Sequence, residues 1–150
     1  MDTQTAQRKV TIACPHCGRL NRVDLARAGD GPKCGQCSQP IELDHPLVLT
    51  DASFQRVIDD AQVPVVVDFY ADWCGPCRMM APSVDALAKA RLGEVLVAKL
   101  NTDHNPATAS RLAITGLPTV VVFSGGREAA REMGALSRPA LDALVNRVPR

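Results

Sequence analysis

Residues 63–77 read Val63-Pro64-Val65-Val66-Val67-Asp68-Phe69-Tyr70-Ala71-Asp72-Trp73-Cys74-Gly75-Pro76-Cys77. The run from Val63 to Tyr70 is rich in β-branched residues and reads as a buried strand. Pro76 falls in the first turn of a helix expected from Cys74 to Leu92. Met79, Met80, Val84, Leu87 and Ala88 are its apolar positions, and Pro82 predicts a kink. A cysteine at a helix start meets free backbone N–H groups and the positive end of the helix dipole, and both favour thiolate. Cys77 lies one turn on and can close a disulfide with Cys74. A pair so placed exchanges two electrons by thiol–disulfide chemistry. Its competing reading, a third metal-binding pair, lacks two of the four ligands a closed zinc site needs.

The composition leaves room for this chemistry and excludes others. The chain has 150 residues, enough for one domain or one domain plus a small module. Apolar residues make up 46% and charged residues 22%, so a packed core is expected rather than extensive disorder. Net charge is +1, and neither end of the chain carries the basic field of a nucleic-acid binder. Residues Met1–Lys9 have no apolar signal core, and no run approaches the length of a membrane helix. The expected setting is soluble, reducing and cytoplasmic, with no membrane partner. There, six cysteines point to metal and redox chemistry rather than structural disulfides.

The cysteines form three pairs of one spacing, Cys14/Cys17, Cys34/Cys37 and Cys74/Cys77. The first two make C-x2-C-x16-C-x2-C, which falls within the window for a four-cysteine zinc site. Cys14, Cys17, Cys34 and Cys37 are the expected tetrahedral ligands of one Zn²⁺, with Gly18 and Gly35 expected at positive φ in the two knuckles. Between the pairs, Leu20, Val23, Leu25 and Ala26 offer little core, so metal is expected to supply the missing folding free energy. A closed site of this kind is structural; the alternative is a switch in which thiolate oxidation ejects the metal. His16 could replace a ligand, though the cysteine set is already full. His45 and His104 read as surface or turn residues.

Residues 1–46 are therefore assigned to a zinc-ribbon-like module with its linker, Pro40–Pro46, and residues 47–150 to an α/β domain. In the latter, strands are expected at Leu47–Leu49, Val63–Tyr70, Glu94–Leu100 and Thr119–Phe123. Helices are expected from Thr50 or Asp51 to Ala61 and over Pro106–Leu112. Gly125-Gly126 turns a hairpin into Arg127–Met133, and Ser137 caps a last helix with Leu141, Leu144 and Val145 inward. The order β-α-β-α-β-α-β-β-α implies a central mixed sheet flanked by helices.

These residues resemble the thioredoxin family. Val66–Asp72 before WCGPC, Arg78–Pro82 after it, Lys99–Asp103, Gly116-Leu117-Pro118-Thr119 and Gly134–Ser137 carry the likeness, over about residues 47–148. With four cysteines in front, the chain resembles the zinc-containing bacterial branch of that family. The resemblance implies a thioredoxin fold and a cytosolic protein-disulfide reductase. Cys74 would be the nucleophile, Cys77 the resolving thiol and Asp68 the general base for Cys77. Lys99, on the neighbouring strand, joins the catalytic set or holds Asp68 in a structural ion pair. A carboxylate inside that strand is costly to ionise, so its pKa should be raised. Pro118 would carry a cis peptide bond facing the cysteines; without the motif it reads as an ordinary strand-start proline. Trp73, Gly75, Pro76, Leu117, Thr119, Gly134 and Ala135 would form the docking surface, with Trp73 half exposed rather than in the core. Tyr70 departs from the family pattern, where a tryptophan is common.

The implied partners are an NADPH-dependent thioredoxin reductase and disulfide-containing proteins, with the chain a monomer and no organic cofactor of its own. A second class of function, a binding module in which the ribbon recruits partners, leaves WCGPC, Asp68 and Pro118 without a use. An oxidase or isomerase is disfavoured by Gly75-Pro76 between the thiols, where those enzymes resemble one another in carrying histidine.

Overall fold

The computed structural model describes residues 7–149. Residues 1–6, assigned above to the N-terminal module, and Arg150 lie outside the described residues. A two-stranded antiparallel ribbon, β1 (Lys9–Ala13) and β2 (Leu20–Asp24), comes first. A short 3-10 helix, Leu25–Asp30, follows and ends on Gly31 at φ 72°. The second part runs β3 (Leu47–Val48), α1 (Phe54–Asp60), β4 (Val65–Tyr70), α2 (Gly75–Ala90), β5 (Leu96–Asn101) and α3 (Pro106–Arg111). It closes with β6 (Thr119–Ser124), β7 (Arg127–Met133) and α4 (Arg138–Asn146). The element order is the expected one.

The sheet is ordered β3-β5-β4-β6-β7, with β3 and β4 parallel to β5 and the β4–β6 and β6–β7 pairs antiparallel. β4 is thus the middle strand, bonded on both sides. Its alternate side chains divide the core. Val65, Val67 and Phe69 join Phe54, Val57 and Ile58 of α1 on one face. Val66 meets Met80, Val84 and Leu87 of α2 and Leu141 and Leu144 of α4 on the other. With a side-chain period of two, Asp68 and Tyr70 share the α2 face with Val66.

Three local readings need correction. The first helix starts at Phe54, after a turn in which the Thr50 carbonyl accepts from Ser53 and Phe54. Asp51 caps α3 instead: its carboxylate accepts from the N–H groups of Ala107 and Thr108, at 3.2 and 2.9 Å. Those bonds, led by the Thr108 hydroxyl, hold its carboxyl below the usual range. In α2, Met79 is 79% exposed, and the inward face is Cys77, Met80, Val84, Leu87 and Ala88. The helix runs through Pro82 without a break.

The ribbon is packed onto α1 rather than held off it. Val10 and Ile12 of β1, with Val23 and Leu25, are buried in the same apolar cluster as Phe54, Val57 and Ile58. Polar bonds rim this contact. The Thr11 hydroxyl donates to Asp60 at 3.0 Å, and Arg22 donates to the Asp60 carbonyl at 2.7 Å. Lys9 and Gln62 exchange two bonds of 2.9 Å. α1 is therefore enclosed between the ribbon and the sheet.

Replacing Ile12 with Ala is expected to cost ~2–5 kcal/mol, because its methyl groups fill a shared core. Denaturation followed by far-UV dichroism and by fluorescence of the one tryptophan, Trp73, should show both transitions moving together. A Trp73 transition that stays in place would show the ribbon to unfold separately.

Candidate active site and metal centre

The dithiol lies where β4 leaves the sheet. Ala71, Cys74 and Cys77 form a small buried cluster, against which Tyr70 and Leu117 pack. Cys74 is the N-cap of α2 in extended backbone, and Pro76 occupies the first turn. The N–H of Cys77 donates to Cys74 Sγ at 3.2 Å. Both are free thiols, and both are buried. Burial, then the hydrogen bond to Cys74, pushes the Cys77 thiol up to about 12. Trp73 beside them is 68% exposed, and its indole N–H donates to Asp103 at 2.8 Å.

Asp68 is buried and lines the same cleft as Cys77, and its Oδ1 has no hydrogen-bond partner among the described residues. Desolvation pushes its carboxyl up to about 7, against the lowering charge of Lys99 and with a further raise from Asp85 of α2. Asp68 and Lys99 are register partners on adjacent strands, but no ion pair of 4.0 Å or less joins them. The Lys99 ammonium stands 5.7 Å from the centroid of the Tyr70 ring. A cleft of about 150 Å³, lined among others by Asp68, Tyr70, Cys77, Arg78 and Lys99, runs beside these groups.

The Leu117–Pro118 bond is cis, as the resemblance implies. Leu117 touches both the dithiol cluster and the α1 core. The Thr119 hydroxyl donates to the Gly116 carbonyl at 2.6 Å, and Gly134 N–H donates to the Pro118 carbonyl at 2.8 Å. These bonds tie the cis-proline loop to Gly134, which stands at φ 102° ahead of exposed Ala135. Gly75 is half-buried and Pro76 exposed. Three contributors escaped the sequence reading. Asp103 orients the indole, and Asp85 acts on Asp68. Met133 is exposed, and its sulfur lies so close to Gly116 that a Cβ there would collide with it. Only its place beside Gly134 in the sequence could have flagged Met133.

At the other pole, the sulfurs of Cys14, Cys17, Cys34 and Cys37 lie within 4.8 Å of one another. Cys14 and Cys37 are 3.6 Å apart, as are Cys17 and Cys34. Tetrahedral zinc with ~2.3 Å bonds sets sulfurs ~3.8 Å apart, so the set fits that ion. The two knuckles repeat one pattern. His16 and Gln36 N–H groups each point to the first sulfur at 3.4 Å. Gly18 and Ser38 donate to the Cys14 and Cys34 carbonyls at 2.9 and 3.0 Å. The second knuckle corrects the sequence reading: Ser38, at φ 65°, takes the left-handed position expected of Gly35. Gly35 instead donates to the Asn21 side chain at 2.9 Å.

A free dithiol at a helix start, beside a cis-proline loop and above a buried carboxylate, defines a thiol–disulfide oxidoreductase. The family model described as Thioredoxin matches residues 45–147, and that described as Thioredoxin 2, N-terminal, matches residues 13–39. The thioredoxin of Synechocystis sp. is 44% identical over 99 residues, 66% of this chain and 92% of its own length. Thioredoxin C-3 of Corynebacterium nephridii is 38% identical over 125 residues, 83% of this chain and 86% of its own. A mutant thioredoxin from Halobacterium salinarum superposes with a TM-score of 0.64 at 36% identity, over 73% of this chain and 98% of that one. The chain belongs to the thioredoxin family, and matches its thioredoxin 2 type with an N-terminal zinc ribbon.

The Asp68 carboxyl sets a stability test. Its folded value, about 7, exceeds its ordinary value of ~4. Between those values the folded chain holds the proton and the unfolded chain does not, so stability falls as pH rises through that window. Asp68→Asn removes the cost. The variant should match the parent near pH 4 and exceed it by up to ~4 kcal/mol at pH 8, at ~1.4 kcal/mol per unit. Urea titrations at both pH values check it; equal stability at pH 8 would refute it.

Proposed function

We propose that the protein is a protein-disulfide reductase in which Cys74 attacks and Cys77 resolves. The observation that carries this reading is the 3.2 Å bond from Cys77 N–H to Cys74 Sγ, with Asp68 buried unpaired behind Cys77. Cys74 thiolate attacks one sulfur of a substrate disulfide; the S–S bond breaks and the other sulfur leaves as thiolate. Cys77 then attacks Cys74 Sγ, forming the Cys74–Cys77 disulfide and releasing the second substrate thiol. The substrate gains two electrons and the dithiol loses them.

Cys77 needs help to react, because burial holds its proton on. Asp68, with a carboxyl near neutrality, is suited to take that proton through the adjoining cleft. Lys99 supplies the positive charge that keeps Asp68 from rising further. Pro118 has no N–H, so the Leu117 backbone is left to pair with an extended substrate segment. Trp73, Gly75, Pro76, Leu117, Thr119, Gly134 and Ala135 make the docking surface. Recharging by a thioredoxin reductase that uses NADPH completes the cycle, in the cytoplasm and as a monomer.

Cys14, Cys17, Cys34 and Cys37 would hold one zinc ion, which when bound closes the ribbon by four thiolate bonds. Residues 1–46 are thus the module that depends on metal, and 47–150 the domain that carries the dithiol. Thiolate oxidation would release the ion, and so make the ribbon sensitive to oxidants.

In an insulin-reduction assay Cys74→Ser should have no activity above background. Cys77→Ser should accumulate a mixed disulfide at Cys74, visible as a mass adduct, and fail to turn over. Full activity in both variants would reject the reductase. Elemental analysis of the reduced protein should find zinc near one per chain, and a stoichiometry well below one would reject the ribbon ligands.

A further inference from the structure

Lys99 has two acceptors within its reach. Asp68 and Tyr70 lie two residues apart on β4 and share its α2 face, and Lys99 is the β5 partner of Asp68 on that face. A direct ion pair with the carboxylate is the arrangement that register favours. The structure has the other one. The ammonium stands 5.7 Å from the Tyr70 ring centroid, within the range of a cation–π contact, while Asp68 Oδ1 is buried with no partner.

We propose that Tyr70 is a positioning residue, whose ring face holds the Lys99 ammonium away from Asp68 and so keeps the carboxyl unpaired. The inference rests on Asp68 acting as the base for Cys77. The charges that bear on Asp68 come from three elements. Lys99 of β5 lowers its titration, and Asp85 of α2 raises it. Cys77 and Arg78 of α2 and Asp72 of the connecting loop line the same cleft. Among them, Lys99 is the one whose placement the ring governs. An ammonium moved against the carboxylate would lower its titration by ~1 unit or more. Asp68 would then be ionised before Cys77 reacts, and a weaker base.

The test reads Asp68 directly, by ¹³C NMR of its carboxyl carbon across pH in the reduced full-length protein. Tyr70→Leu should lower the midpoint by ~1 unit. Tyr70→Phe and Tyr70→Trp, which keep a ring face, should hold it. Leucine also admits water, which would lower the midpoint without any role for Lys99. The double variant separates the two: in a Lys99→Met background, Tyr70→Leu should shift nothing. A shift that persists without Lys99, or an unchanged midpoint in Tyr70→Leu, overturns the proposal. If the leucine variant does not fold, Tyr70→Thr takes its place in the same cycle. Asp68→Asn tests the reading beneath it: if its rate of insulin reduction keeps the parent's pH profile, Asp68 is not the base. If that profile is lost while Tyr70→Leu leaves the carboxyl midpoint alone, the base stands and only the role of Tyr70 fails.

Discussion

A carboxylate in the middle strand of an open sheet covered on both faces is the constraint from which the site follows. β4 is bonded to β5 and β6 and covered on both faces, and Asp68 opens onto the cleft that Cys77 also lines. An unpaired buried carboxylate is expensive as an anion and much cheaper as an acid. The fold tolerates that cost because the rest of the strand is apolar and packed. Val65, Val66, Val67 and Phe69 are all buried. The strand then has to end at the dithiol. Beyond Tyr70 the chain turns, and Cys74 caps a helix whose third residue, Cys77, faces back toward the carboxylate.

The ribbon depends on the same sheet at one remove. A hairpin of ten strand residues with two metal knuckles encloses little apolar surface of its own. Val10 and Ile12 are nevertheless fully buried, because α1 presents Val57 and Ile58 to them. Cys14 and Cys34, one from each knuckle, fall in that same cluster. The four-cysteine cluster therefore closes the outer layer of a stack whose inner layers are α1 and the sheet. Leu117 reaches from the α1 core to the dithiol cluster, so the stack is continuous from the ribbon to the cysteines.

Much of this is legible in the sequence. The order of elements, the cis bond before Pro118 and the inward face of α4 follow from periodicity, spacing and the resemblance of short motifs. The failures share a cause: each turned on a partner distant in sequence. Asp51 looks like a cap for the helix just after it, and bonds to Ala107 and Thr108 instead. Met79 satisfies the helical period, but the face that the fold covers runs through Met80, Val84 and Leu87. Ser38 took the left-handed turn that glycine preference would give to Gly35, since Asn21 had already claimed the Gly35 N–H. Nothing local to Val10 and Ile12 shows that α1 will cover them. Lys99 is a nearer case. Register alone joins it to Asp68, and the preference for the Tyr70 ring is visible only in three dimensions.

The three pairs of equal spacing diverge at two backbone positions. In each pair the residue after the second cysteine bonds back to the first cysteine's carbonyl: Gly18, Ser38 and Arg78 do so alike. Gly18 and Ser38 do it at positive φ, which turns the chain so that the knuckles face each other and four sulfurs meet. Arg78 is helical, and its two sulfurs remain a pair. The second divergence lies two residues after the first cysteine. His16 and Gln36 offer an N–H to sulfur there, and Pro76 has none to offer. Cys74 receives a bond from Cys77 alone of the residues that follow it. Each knuckle thus holds its first sulfur with two backbone donors in a turn, and the dithiol holds Cys74 Sγ with one at a helix start.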